Sequence, residues 1–270
     1  MRLKSCPVCG GALNNLENYD FLQCRLCGTV FNSAHLIIEY SDTYFTSDYK
    51  SQYGKTYEED YPAIRRFCDR RIERIKKILS HAGFNSVMDV ASALGFFLKA
   101  AHDNGAADCT GVEISKYACD YMKKNYPFSV RNESFDNFQT EKKYDVVTAW
   151  YFIEHSPDIV QTVQKLSSFV KEGGVLAFSV PSAFSPLFSF NRKKFFDTHP
   201  VDHSADLTPK GIRILLKQNG FRKIKVYPAA YHPERIMSKE CFFFPFFSFF
   251  FKKYADFTAF SDTIEVYAVK

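Results

Sequence analysis

Four cysteines near the N-terminus carry the plainest chemical signal in the chain. Cys6 and Cys9 form one Cys-x-x-Cys pair and Cys24 and Cys27 another, with fourteen residues between the pairs. A two-residue gap lets two sulfurs of one tight turn reach the same ion, and two such pairs complete a tetrahedral thiolate sphere. Gly10, Gly11 and Gly28 follow the pairs, where such turns need a backbone with positive φ. Four thiolates close the sphere, so the Zn2+ expected at Cys6, Cys9, Cys24 and Cys27 is structural rather than catalytic. So short a segment buries too little core to fold unaided, and the metal would supply its folding energy. Two disulfides or a redox dithiol are the alternatives. The symmetry of the pairs and the lack of a secretory signal in the opening residues favour zinc. Cys68, Cys109, Cys119 and Cys241 are scattered singly and are expected to pack as small hydrophobes.

Two polar groupings further along have the residue types for proton transfer or ligation. Glu154 and His155 adjoin, and histidine changes protonation near neutral pH. A pair that only ties down a loop is the plainer reading. The stretch "FDTHPVDHSAD" holds His199, Asp202, His203 and Asp206, at a spacing that fits no familiar metal site. A solvated loop ahead of a capped helix accounts for it, with Thr208 as N-cap and Pro209 at the first helical position.

The elements that must position these residues alternate between short β-branched runs and helical stretches. Strands are expected at 86–91, 108–113, 128–131, 144–150, 174–180, 221–228 and 262–269, and helices at 95–104, 115–125, 158–170 and 208–219. This alternation implies an α/β fold with a doubly wound, mostly parallel, seven-stranded sheet, covered on both faces. Ligands of such sheets bind beyond the C-terminal ends of the strands, at the topological switch point. The first strand runs into "DVASALGFF", a sharp turn in which Ala91, Ala93 and Gly95 follow Asp89 where cofactor-binding turns carry glycines. Alanine there is costly only if the turn demands φ > 0. The second strand ends in Glu113, twenty-four residues after Asp89, and an acid there can accept hydrogen bonds from both hydroxyls of a ribose.

In the order Asp89, Ala91-Ser92-Ala93-Leu94-Gly95, Glu113, then Glu154-His155, the chain resembles the class I S-adenosylmethionine-dependent methyltransferases. The resemblance runs from about 60 to 182, and "LTPKGIRILLKQNGF" with the closing "DTIEVYAVK" extends it to the end. It implies S-adenosylmethionine as methyl donor, held by Asp89, the 91–95 turn, Glu113, Ile114, Glu133, Ser134 and Trp150. It implies Glu154 and His155 as the catalytic pair, and Tyr151, His199 and His203 as substrate contacts. Tyr151 stands where relatives often carry an aspartate. A two-pair cysteine module ahead of this domain is similar to that of sugar C-methyltransferases, whose further C-terminal domain has no room here.

Domains are therefore expected at 1–34 (a zinc ribbon or knuckle), 35–82 (connector and lead-in helix) and 83–270 (a Rossmann-like methyltransferase domain). The connector is rich in tyrosine. Tyr49, Tyr53, Tyr57 and Tyr61 recur every four residues, but Gly54 and Pro62 argue against one continuous helix. It reads equally as aromatic packing or as a mobile cover that brings Tyr53 to the substrate. The stretch 61–83 reads as an amphipathic helix with Ile64, Phe67, Ile72, Ile75, Ile78 and Leu79 on its apolar side and its basic residues in solvent.

A net charge of +5 spread along the chain suits an acidic ligand but not a nucleic-acid stripe. The acceptor is expected to be a small molecule, a sugar or another metabolite. An RNA methyltransferase with a zinc-module reader, and a degenerate cofactor-binding protein, are the competing readings. "CFFFPFFSFFF" (241–251) is too short to span a bilayer and contains Pro245. It is expected to pack internally or at a dimer contact, with a peripheral membrane contact as the alternative. A cytoplasmic location is the simplest expectation.

Overall fold

The computed structural model describes residues 3–16, 19–38, 42–80 and 83–270. Residues 39–41 of the connector, and 81–82 at the expected end of the lead-in helix, lie outside the described residues. The strands are β1 (Leu13–Leu16), β2 (Phe21–Cys24), β3 (Val30–Asn32), β4 (Ser86–Val90), β5 (Asp108–Glu113), β6 (Ser129–Asn132), β7 (Tyr144–Trp150), β8 (Val170–Pro181), β9 (Ala205–Asp206), β10 (Lys223–Pro228) and β11 (Thr263–Val269). The α-helices are α1 (Tyr49–Tyr53), α2 (Tyr61–Ile78), α3 (Phe96–Asp103), α4 (Lys116–Asn125), α5 (Ile159–Ser168), α6 (Pro186–Phe190), α7 (Arg192–Asp197), α8 (Pro209–Gln218) and α9 (Phe244–Thr258). By contact the chain forms two compact units. One comprises Met1–Ile37, Tyr151–Gln164 and Phe178–Val266; the other comprises Ile38–Trp150, Lys165–Ala177 and Tyr267–Lys270.

All seven expected strands form, in one sheet of order β10-β11-β8-β7-β4-β5-β6. β4 pairs in parallel with both β5 and β7, and β5 with β6. β4 is buried along its whole length, as a parallel strand covered on both faces must be. From β4 the chain winds outward through β5 to β6 and then returns to β7 on the other side. The switch point therefore lies between β4 and β7.

In the second unit, α2 has the expected amphipathic form but a different buried stripe. Cys68, Arg71, Ile72, Ile75 and Ile78 face inward, while Phe67 stands in solvent. The expectation of solvated basic residues fails at Arg71, which lies under an indole ring. The connector is broken as Gly54 and Pro62 suggest. A π-helical turn over Tyr44–Asp48 runs into α1, which ends at Gly54 with φ +74°. Phe45 is buried with Leu94, Phe96 and Ala118, and Tyr57 and Tyr61 pack on the same cluster.

In the first unit, β1, β2 and β3 form an antiparallel meander that continues into β9. The Phe-rich run is helical from Phe244, and the expectation of internal packing holds on one face only. Phe251 and Ala255 are buried with Phe260. Phe242, Phe243, Phe246, Phe249, Phe250 and Phe257 are exposed, because a lone helix laid on a surface covers only one stripe. No helix among the described residues is long and apolar enough to cross a membrane.

Thr208 joins the cysteine module to α8. Its hydroxyl accepts from Gly211 N (3.0 Å) as N-cap and donates to the Cys27 carbonyl (2.5 Å). Thr208→Val should lower the unfolding free energy by about 1–2 kcal/mol, whereas Thr208→Ser should stay within about 0.5 kcal/mol of the native protein. Denaturant titration of both variants checks this, and equal loss in the two would show that the hydroxyl is not the cause.

Candidate active site

The turn after β4 is built from left-handed residues. Ala91, Ala93 and Gly95 have φ of +53°, +50° and +77°. Gly95 is favoured there by its φ, and a Cβ would also lie 2.8 Å from the Met122 side chain, which would have to shift. Buried Leu94 anchors the turn from below. Two hydrogen bonds tie it to the end of β5: Ser92 N donates to the Val112 carbonyl (3.3 Å) and Ala93 N to Glu113 Oε2 (2.8 Å). The other carboxylate oxygen, Glu113 Oε1, accepts from Ser115 N (2.9 Å). Burial raises the Glu113 pKa, while these backbone N–H groups oppose the rise. Ser115 caps α4 and also donates to Asp42 Oδ1 (2.6 Å), a connector residue that local sequence patterns do not mark.

Asp89 sits within the sheet rather than in the turn. It is almost fully buried and accepts a 2.6 Å hydrogen bond from the Thr148 hydroxyl on β7. Burial pushes its pKa up to about 7, with Thr148 and the nearby Arg71 pulling the other way. The Arg71 guanidinium lies 4.0 Å from the Trp150 ring centroid, and Phe97 and Tyr267 pack on the same indole at 5.2 and 6.2 Å. Trp150 Nε1 is buried without a hydrogen-bond partner. Ile114 is exposed beside Glu113, and Glu133 and Ser134 are half-buried after β6. Neither Arg71 nor Thr148 was legible as a site residue, since each acts through a partner remote in sequence.

In the first unit, the short 3-10 turn Ile153–His155 meets the 199–206 loop. Ser204 N and Oγ both donate to the Glu154 carbonyl, at 2.7 and 3.1 Å. One ligand-type atom from each of Glu154, His155 and His203 lies within 4.8 Å of the others. His155 Nδ1 pairs with Asp202 Oδ2 at 2.9 Å. Burial pushes the Glu154 carboxyl up to about 8 and lowers both imidazoles, His203 to about 4, so the group is neutral near pH 7. His199 does not join it, because its Nε2 is paired with Asp206 (2.7 Å) and its Nδ1 with the Pro200 carbonyl (2.8 Å). Tyr151 is exposed in a left-handed conformation, φ +55°. Tyr53 stacks on Tyr49 at 4.4 Å in the connector.

The four cysteine sulfurs form the other compact group. Cys6 and Cys27 Sγ are 3.7 Å apart and Cys9 and Cys24 Sγ 3.4 Å, far beyond the roughly 2.05 Å of a disulfide. Leu26 N and Cys27 N both donate to Cys24 Sγ, at 3.3 and 3.4 Å.

A family described as a methyltransferase domain matches residues 57–226, more than half of the chain. The chain belongs to that family. It is a class I S-adenosylmethionine-dependent methyltransferase. The chain is 23% identical over 191 residues to a ubiquinone biosynthesis O-methyltransferase of Bordetella avium, covering 63% of this chain and 78% of that one. A protein of the same name from Nitrosomonas europaea is 29% identical over 116 residues, 40% of this chain and 49% of that one. In fold, a SAM-dependent methyltransferase from Archaeoglobus fulgidus superposes with a TM-score of 0.53 at 17% identity, over 82% of this chain and 98% of that one. The plantazolicin methyltransferase BpumL in complex with SAH gives 0.55 at 15% identity, over 85% and 93%.

The methyltransferase's turn and its buried acid give two measurable consequences. Relief of a left-handed alanine is worth about 1–2 kcal/mol, less about 0.5–1 kcal/mol for the added freedom of glycine in the unfolded chain. Ala91→Gly and Ala93→Gly should therefore each stabilise the protein by about 0.5–1 kcal/mol in denaturant titration. A fall in stability for both would mean that the methyl groups are specifically packed. Asp89 binds its proton more tightly folded than unfolded, so its contribution to stability is full below pH 4 and is lost as pH rises through about 7. Between pH 5 and 8 the native protein should lose about 2 kcal/mol more stability than Asp89→Asn. Parallel pH profiles for the two proteins would remove Asp89 as the source.

Proposed function

We propose that the enzyme transfers the methyl group of S-adenosylmethionine to a hydroxyl oxygen of a small-molecule acceptor. The observation that carries the acceptor half of this reading is the neutral, mostly buried Glu154–His155–His203 group, which begins four residues after β7 ends. Two low-pKa imidazoles can accept hydrogen bonds from a hydroxyl, and a protonated Glu154 can donate one. The relatives' printed name, O-methyltransferase of ubiquinone biosynthesis, supports an oxygen acceptor. The mild net charge of +5 favours a small molecule over RNA as acceptor.

When bound, the cofactor supplies an electrophilic methyl on a sulfonium sulfur that leaves as a neutral thioether. The chain's contribution is alignment. Each Glu113 oxygen accepts one backbone N–H and keeps acceptor capacity for a ribose hydroxyl. Ile114, Glu133 and Ser134 flank that acid on the adenine side, and the 91–95 turn faces the methionine portion. Arg71, Phe97 and Tyr267 fix Trp150 at the end of β7, where it would close over the cofactor. Asp202 orients His155, and Glu154, His155 and His203 receive the acceptor.

The cysteine group fits a structural Zn2+. Tetrahedral thiolates about 2.3 Å from zinc lie about 3.8 Å from one another, close to the separations here. The backbone N–H groups of Leu26 and Cys27 donate to Cys24 Sγ, as they would to a metal-bound sulfur. Such an ion would hold the module together and supply folding energy.

Calorimetry on zinc-replete protein should show binding of both S-adenosylmethionine and S-adenosylhomocysteine, with Glu113→Ala at least about tenfold weaker, as loss of charge-assisted hydrogen bonds requires. Transfer of labelled methyl into hydroxylated metabolites, insensitive to added RNA, completes the assignment. No cofactor binding by the native protein would overturn it.

A further inference from the structure

We propose that Glu154, His155 and His203 form a binding site for a divalent first-row transition-metal ion, separate from the cysteine cluster. Their ligand atoms already lie within 4.8 Å of one another. Glu154 is 2% exposed, and among the described residues its Oε2 has no hydrogen-bond partner and His203 Nδ1 is buried without one. Each orphaned buried polar atom is destabilising, so two of them turned into one small group mark a place built for a missing partner. His155 carries the supporting contact typical of ligating imidazoles. One ring nitrogen, Nδ1, is held by the Asp202 carboxylate, which fixes the ring.

Neighbouring groups anchor the backbone at two of the three ligands. Ser204 bonds the Glu154 carbonyl through both N and Oγ, and Asn32 on β3 donates to the His203 carbonyl (3.2 Å). His199 is committed on both ring nitrogens and is not a ligand. A cavity of about 120 Å³ has His203, Ser182 and Thr198 in its wall. Two imidazoles and one carboxylate, with no sulfur, suit Zn2+, Mn2+, Fe2+ or Co2+ rather than a soft ion. Three protein ligands leave coordination positions open, unlike the four cysteines.

The use of the ion rests on the methyl transfer proposed above, with the ion taking the place of the hydrogen bonds from Glu154, His155 and His203 to the acceptor; its binding does not. An acceptor hydroxyl drawn to the ion loses its proton to water more readily. The oxygen lone pair then forms the bond to the methyl carbon, and the electrons of the broken carbon–sulfur bond return to sulfur. The imidazoles act as ligands in this step, not as bases.

The test counts zinc in full-length protein after dialysis against micromolar free Zn2+, using elemental mass spectrometry, with S-adenosylhomocysteine calorimetry on the same samples. The native protein should hold about two ions per chain, and His203→Ala and Glu154→Gln about one each, retained by the cysteines, with cofactor binding unchanged. Two variants are used so that misfolding of one does not decide the result. About one ion in native protein that binds S-adenosylhomocysteine would overturn the second site and leave the methyltransferase reading intact. Two ions in native protein and in both variants would overturn the ligand assignment. Two ions without cofactor binding would support the site and overturn the function proposed above.

Discussion

The arrangement of the histidine loop depends on a pairing only two residues long. Val30 and Phe31 of β3 pair with Asp206 and Ala205 of β9, and Asn32 extends the contact by bonding the Ser204 and His203 carbonyls. The loop from His199 to Asp206 contains no long element of its own, so without a neighbouring strand its backbone groups would have to turn to water. The cysteine module supplies that strand. β3 follows directly on the Cys24–Cys27 turn, so whatever closes the four sulfurs also fixes the edge on which the loop is built. The same module reaches α8 through Thr208 and the Cys27 carbonyl. On this reading the module acts as a brace for His203 and Asp206 rather than as an independent reader.

A comparable economy operates at the end of β4. Two alanines in the left-handed region carry a penalty of about 1–2 kcal/mol each. The turn persists because its amides have fixed partners: Ser92 on the Val112 carbonyl, Ala93 on Glu113 and Gly95 on the Ser92 carbonyl. Glu113 thus holds the turn as well as offering acceptor capacity to a ligand. Tyr151, the residue after β7, is also left-handed, so positive φ recurs after two of the strands that flank the switch point.

Central strands such as β4 were legible because parallel strands buried on both faces are continuous apolar runs, and α8 because of its cap and stop residues. β9 was not, since a two-residue strand has no periodicity. The two alanines were identified as residues of the turn, but whether they stood in the left-handed region was a question the sequence left open. Cys6, Cys9, Cys24 and Cys27 were legible as a set because their spacing is itself the geometry. Glu154, His155 and His203 were each named, yet their convergence was not readable. It depends on a loop returning across about fifty residues and being pinned there by Ser204 and Asn32. Arg71 was misplaced in solvent because a basic residue at a helical core position looks like part of a charged face until its aromatic partner is known. Phe67 erred in the opposite direction, an apolar residue at the edge of the buried stripe that stands in solvent.

Two carboxyls in this chain, Asp89 and Glu154, have pKa values raised to about 7 and about 8 by burial, and their settings differ in a telling way. Asp89 has a hydroxyl donor in Thr148 and a cation nearby in Arg71, which together make a buried acid tolerable within the sheet. Glu154 has neither. Its carbonyl is doubly bonded by Ser204, its neighbours include two further carboxylates in Asp202 and Asp206, and one of its carboxyl oxygens faces no donor. A buried acid satisfied by its surroundings is a structural element, whereas one left short of a donor beside two imidazoles is a site waiting for positive charge or a hydroxyl. That difference, rather than the degree of burial the two share, separates the acid that holds the sheet from the one placed to act on a ligand.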